Sequence, residues 1–488
     1  MLHFCLSFYL QQKIDADFFS IIDIPNKPKK FFQNQKIVNF KKFWFFNDQI
    51  KKDMNSPDLK YLNGFEKKFQ IDLWKLAINE RHFYRFNRFY KFSKNEILSI
   101  LEQECRFFEK VLDDVKPNFF LTYDPPFHHQ KLLLEMCKTK GIKVLCLYFT
   151  RVGGTSIIAE DGATLDLPSD LDKKSLNDAV VNGDEFASQT KKSINYGSLT
   201  KNYKIKRSAT SSNKLKALFD YVFFSDSKNT LSNYTYYGRT KSKVILDNID
   251  INIKRKIRSR FIEKQTEKNI DLNIPYTFFP LNIEEELSML HYSPFYTNQI
   301  EVIRHVAKSI PIEHKLYVKE HPFAEFRGWH RIDEYKEIME IPNVKLLHPN
   351  YSYKELIKKS KLVVTVRGTA SFDAIEEGLP SIVFGDVPFS IIPSVFKVNN
   401  PRELPSLIKT ALNTKINPDY LKKYLKLIHE RSVNFDMMDF EVVRNNQFYS
   451  GNTLSDVEIS EDKTIQFLKE NVDYFDDLVN AHIKKIND

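Results

Sequence analysis

The chain has 488 residues, 42% hydrophobic, 28% charged and 14% aromatic, which excludes a disordered, collagen-like or low-complexity protein and leaves room for two or three domains of roughly 150 residues. Lys and Arg number 73 against 63 Asp and Glu, so the net charge is +10, which favours phosphate-bearing partners or an acidic membrane surface. Cys5, Cys105, Cys137 and Cys146 form no CxxC pair and have no companion histidines at metal-finger spacing, so they support neither a disulfide framework nor a structural zinc and fit a reducing, cytoplasmic compartment.

The N-terminal stretch MLHFCLSFYLQQKIDAD has no Lys or Arg ahead of its apolar run and no small-residue cleavage site. Nowhere do about 18 uncharged apolar residues run together. Neither a signal peptide nor a membrane span is expected.

Residues 18–24 (FFSIIDI) read as a strand. Arg81 to Phe92 (RHFYRFNRFYKF) reads as an amphipathic helix with Arg81, Arg85 and Arg88 on one face, a pattern that packs on its own core in preference to a membrane or single-stranded nucleic acid. Ile97, Leu98, Leu101, Phe107, Phe108, Val111 and Leu112 recur near helical spacing, and KPNFFLTYDPP then gives a strand ending in a Pro-Pro turn. A helix over 130–140 capped by Gly141 and a strand over 143–149 complete a β-loop-α-β unit. From about 162 to 213 the periodicity fades into Ser, Asn, Asp, Thr and Lys, the composition of a loop or insertion. Helical patterns return over 214–267, where Lys254 to Arg260 (KRKIRSR) packs five cations into seven positions, a solvated face or a contact for anionic lipid.

Between 275 and 396, strands and helices alternate. Strands are expected over 276–281, 315–319, 344–347, 361–366 and 381–384, with helices over 298–310, from Ser352, and over 371–377. That order defines a parallel α/β domain, and residues from 401 onward form a helical tail. In such sheets a ligand sits beyond the carboxyl ends of the strands. Two places there carry chemistry. After one strand come Glu320, His321 and Pro322, an acid and an imidazole at a strand end that proline terminates. After another, taken as its neighbour, come Arg367, Gly368, Thr369 and Ser371, two hydroxyls and a cation at a helix start suited to phosphate.

These residues carry a resemblance. FFPLNIEEELSMLHYSPFYTNQIEVIRHVAKSIPIEHKLYVKEHP, VTVRGTASFDAIEEGLPSIVFG and KPNFFLTYDPPFHHQKLLLEMCKTKGIKVLCLYFTRVGG resemble the capsule polysaccharide biosynthesis family of glycosyltransferases, and KEHP is similar to the His-Pro motif of Kdo transferases and bacterial sialyltransferases. The resemblance implies α/β architecture with two facing Rossmann-like domains (GT-B): an acceptor-side domain over 1–270 containing the insertion, a donor domain over 271–400, and the tail over 401–488. It implies a nucleotide-sugar donor, a CMP-sugar first, and a glycan or lipid-linked acceptor. No bound cofactor, metal or nucleic-acid partner is expected. The location implied is cytoplasmic, peripheral to the inner membrane face.

By the same resemblance His321 and Pro322 contact donor phosphate and Thr369 and Ser371 form its hydroxyl loop. Asp373, in GTASFDA, stands where such enzymes often have a glutamate, and Glu286 matches an acidic residue of the family within a run from Glu284. The leaving phosphate is stabilised without metal. A base must take the acceptor proton, and Asp124, His128 and His129 are its candidates. Three alternatives stay open: a UDP-sugar donor with a similar mechanism, a CDP-glycerol-type glycerophosphotransferase, and a catalytically silent carbohydrate-assembly protein.

Overall fold

The computed structural model describes residues 1–24, 26–52, 56–150, 152–168, 219, 221–223, 232–449 and 456–488; the expected insertion lies outside the described residues from 169 onward. The chain divides into two compact units. The first takes in Met1–Glu160, the described residues up to Ile245, and Arg431–Asp488; the second takes in the described residues from Asp161 and Leu246–Glu430.

In the first unit, β1 (Phe18–Ile22) and β2 (Phe40–Phe45) pair in parallel. β3 (Phe119–Tyr123) pairs in parallel with β4 (Lys143–Phe149), and β5 (Ser156–Ala159) adds antiparallel to β4. The helix His128–Thr139 joins β3 to β4, and Gly141 just beyond it adopts φ 69°, a left-handed conformation that a side chain disfavours. This is the β-loop-α-β unit expected from the apolar runs.

One expectation needs correction here. Arg81 to Phe92 is not helical but a series of turns. Asn87 explains why: its side chain donates to the His82 carbonyl and accepts from the N–H groups of Phe89 and Tyr90, offering the backbone an alternative to helical bonding. The helices from 401 onward divide between the two units. The helix Leu404–Asn413 stays with the second unit, whereas residues from Arg431 join the first. There the helix Val472–Asn487 packs on the helix Leu2–Leu10, the Tyr9 hydroxyl donates to the Leu468 carbonyl, and Phe435, Phe467 and Phe475 are buried beside them. Each such phenylalanine contributes about 1.5–3 kcal/mol on leaving water. The helix Lys241–Gln265 groups with the second unit from Leu246 on. Within it Arg255 and Arg258 donate to the carbonyls of Phe326, Gly328 and Trp329, which places two of the five clustered cations in packing roles.

The second unit is built on β6 (Tyr276–Pro280), β7 (Lys315–Lys319), β8 (Val344–Leu347), β9 (Leu362–Thr365), β10 (Ser381–Val383) and β11 (Val395–Lys397). All pairings are parallel, in the order β11-β10-β9-β6-β7-β8. Both faces are covered: Phe279, Val318 and Val364 pack on one side, Phe278, Tyr317 and Val363 on the other. That is why these strands read as continuous apolar runs. Among the described residues, no helix is long and apolar enough to cross a membrane.

Candidate functional site

The chain leaves β6 toward β7 and β8, then returns to β9 on the other side of β6 before reaching β10 and β11. The loops after β6 and β9 therefore diverge, and the crevice between them is the switch point where doubly wound sheets bind ligands. The Glu320-His321-Pro322 turn and the Arg367-Gly368-Thr369 loop end β7 and β9, which are not neighbours as expected but flank β6. With strands about 4.8 Å apart, the two loops start roughly 10 Å from each other.

Asn282, which the sequence reading passed over, stands between them. Its N–H donates to Gln299 Oε1 at 2.6 Å, Gln299 Nε2 donates back to its carbonyl at 2.8 Å, and its Oδ1 accepts from Thr365 Oγ1 at 3.1 Å. A buried glutamine and a strand-end threonine thus fix it. Gly368 is required by the same crowding: a Cβ there would lie 2.6 Å from Thr365 Oγ1 and 3.3 Å from Asn282 Nδ2.

The His-Pro turn is held by Glu320, which is buried. Its Oε1 accepts the His321 N–H at 2.8 Å, while Oε2 is bonded to His330 Nδ1 at 2.6 Å and to the Tyr335 hydroxyl. Burial alone would raise the Glu320 carboxyl, but the charge and hydrogen bond of His330 outweigh it and hold it low; Glu320 in turn pushes His330 up to about 9 against burial. Glu320 is therefore a positioning residue. His321 Nδ1 accepts the Phe323 N–H at 3.1 Å, so the neutral ring carries its proton on Nε2 and presents a donor there. Pro322 stops the strand and keeps His321 extended.

On the β9 side, the Arg367 guanidinium lies 4.1 Å from the centre of the Tyr292 ring and donates to the Asp386 carbonyl, which fixes its direction. Thr369 precedes the helix Ala370–Glu376 without capping it through its side chain. Among the described residues the N–H groups of Gly368, Thr369 and Ala370 donate to no protein acceptor. Ser371 is a correction. It is fully buried, and its hydroxyl bonds Ser381 Oγ at 2.7 Å behind the loop, so it offers nothing to a ligand. Asp373 accepts from the Tyr353 hydroxyl at 2.8 Å. Glu286 sits at the start of the short helix Leu287–Leu290, beside the Glu285–Arg327 ion pair.

In the first unit, His128 and His129 open a helix rather than a loop. The His128 ring is fully buried: Nδ1 meets Glu80 Oε2 at 2.8 Å and Nε2 meets Glu104 Oε2 at 2.9 Å. Glu80 also accepts the His128 N–H, serving the helix start. Burial disfavours the imidazolium, yet the two carboxylates push its pKa up to about 10. With its ring enclosed and both nitrogens bonded to carboxylates, His128 presents no nitrogen to an acceptor. His129 is buried too, with Nε2 3.1 Å from Asp23 and its ring 4.1 Å from Phe46. Glu104, His128 and His129 bring ligand-type atoms within 4.8 Å of one another, but both His128 nitrogens are committed to carboxylates, so the cluster is closed by its own hydrogen bonds. Asp124 is partly exposed at the end of β3 and keeps its candidacy.

Residues 199–393, less than half of the chain, match the model of the capsule polysaccharide biosynthesis protein family. The match takes in β6 to β10 and with them both loops. No curated protein matches the chain. Among solved structures it is similar to the KpsC β-Kdo 2,7 transferase of Thermosulfurimonas dismutans at 12% identity, over 83% of this chain and 98% of that one, with a TM-score of 0.30. It is also similar to the UDP-GlcNAc 2-epimerase of Neisseria meningitidis at 13% identity, over 85% and 99% of the two chains, with a TM-score of 0.27. At such TM-scores the α/β fold rests on the chain's own parallel sheets. The matched stretch begins within the first unit and falls mostly in the second.

Proposed function

We propose that the chain is a GT-B glycosyltransferase of surface or capsular polysaccharide assembly, moving a sugar from a nucleotide-activated donor, a CMP-sugar, to a glycan or glycolipid acceptor. The observation that carries this is the pair of donor-bearing loops, His321 on one side and the Gly368 to Ala370 N–H groups on the other, flanking the switch point inside the family match. A sugar-phosphate bond breaks with negative charge growing on the leaving oxygen. Fixed N–H donors and the Arg367 charge stabilise that oxygen without rearranging during the reaction. A base, for which Asp124 is the candidate, takes the proton of the acceptor hydroxyl, the bond to the anomeric carbon forms, and the bond from that carbon to the phosphate oxygen breaks as the nucleotide leaves.

A thermal-shift panel of CMP, CDP, UDP, GDP and ADP tests the reading, because a ligand that binds only the native state raises its melting temperature. Stabilisation by CMP is the expected result, with transfer unchanged by chelator. CDP alone would favour glycerophosphate transfer, and silence across the panel would end the nucleotide-donor reading. Asp124→Asn is expected to slow transfer while leaving the nucleotide-induced shift intact; undiminished transfer would remove Asp124 as the base.

A further inference from the structure

Side chains alternate along a strand, so Tyr317 and Lys319 of β7 share one face of the sheet while Leu316, Val318 and the following Glu320 take the other. On its own face Lys319 pairs in register with Pro280 of β6 and Leu347 of β8. Ala370 and Ala374 cover that same face. Lys319 is 3% exposed. Among the described residues its ammonium makes no hydrogen bond and no ion pair, and its tip is not sealed from solvent. Glu320 does not neutralise it at contact distance, because that carboxylate is committed to His330 and Tyr335.

A buried ammonium without a bonded counter-ion is costly to the folded state, and burial pushes this one down to about 8 against the opposing pull of the Glu320 charge. Proteins keep such a charge where something outside the chain completes it. The position is specific: Lys319 is the last residue of β7, two residues before His321, at the carboxyl edge of the sheet.

We propose that Lys319 is a phosphate-binding cation whose ammonium meets the oxyanion of the bound donor from beneath the His321 turn. The assignment rests on the reading of this edge as a donor-phosphate site, and goes beyond it by naming a residue and the charge it supplies. A hydrogen bond to a charged group is worth enough to change affinity about ten- to a hundredfold.

The test is calorimetric titration of the full-length protein, wild type, Lys319→Met and Lys319→Arg, with inorganic pyrophosphate and separately with CMP. Wild type is expected to bind pyrophosphate, Lys319→Met to bind it at least about tenfold more weakly, and Lys319→Arg to fall between them. Lys319→Met without ligand is expected to melt higher than wild type, because methionine fills the same space without an uncompensated charge. That rise shows a sound fold and separates lost binding from lost structure. Equal pyrophosphate affinity in Lys319→Met, or none in wild type, overturns the proposal. A Lys319-dependent pyrophosphate site that ignores CMP would leave the proposal standing and count against the CMP-sugar donor. CMP bound equally by wild type and Lys319→Met would sink Lys319 and leave the donor reading in place.

Discussion

Glu104→Ala is expected to destabilise the first unit by about 3–5 kcal/mol, the cost of leaving a buried ionic partner uncompensated. In a unit of this size that is a fall in melting temperature of roughly 10 °C. Glu104 is fully buried and holds His128 Nε2 from one side while Glu80 holds Nδ1 from the other; it also accepts from the Tyr234 hydroxyl at 3.1 Å. Removing it leaves an imidazolium with half its counter-charge and the Tyr234 hydroxyl with only His129 Nδ1, at 3.4 Å, in place of a carboxylate. Glu104→Gln keeps the acceptor but not the charge, so a smaller loss is expected.

The same network sets a pH dependence. Burial would raise the Glu80 carboxyl, but the hydrogen bond and charge of His128 hold it far below its ordinary 4.5, so its contribution is present above that value and lost as pH falls. His128 is raised, so its contribution is complete below its ordinary 6.5 and is lost as pH rises toward about 10. The stability that both supply is greatest between about 4.5 and 6.5 and declines on either side. Urea unfolding of wild type and Glu104→Ala across pH 4 to 9 reads it directly: the gap between them should narrow toward the alkaline end. A variant that kept full stability but lost transfer would return His128 to the catalytic machinery.

The sheet of the second unit was legible because its strands are short apolar runs bounded by charged residues, Pro or Gly, as in KLYVK before Glu320 and His321. Their order was not. Placing β6 between β7 and β9 is a long-range pairing that no local pattern encodes, so the sequence alone suggests adjacent loops where a strand separates them. Glu320 looked like a ligand residue because its partners, His330 and Tyr335, lie beyond a turn and inside the following helix. Ser371 looked available because sequence does not reveal which way the first turn of a helix faces.

One signal in the first unit was readable and missed. Glu104 falls on the apolar stripe of its helix with Leu101, Cys105 and Phe108. A carboxylate at such a position needs a buried cation, and the adjacent histidines 24 and 25 residues on were the candidates. By contrast, Arg81 to Phe92 has helical spacing that Asn87 defeats through three local hydrogen bonds.

His321→Ala is expected to lower kcat by about a hundred- to a thousandfold, the usual loss when one fixed donor to a developing oxyanion is removed. The ring also has a local task, accepting the Phe323 N–H and stacking at 5.8 Å on the Phe323 ring, so the alanine variant loosens the turn by about 1 kcal/mol. His321→Asn separates the two tasks: its carbonyl can take the Phe323 N–H in the manner of an Asx turn, while its shorter amide falls short of the Nε2 position. If His321 acts on the leaving phosphate, the asparagine variant keeps the wild-type melting temperature and still loses kcat, with KM for the donor changing less. If its role is only to shape the turn, asparagine restores both. Turnover undiminished in His321→Ala would remove the imidazole from the reaction and leave the leaving-group oxygen to Arg367, Lys319 and the N–H groups that follow β9.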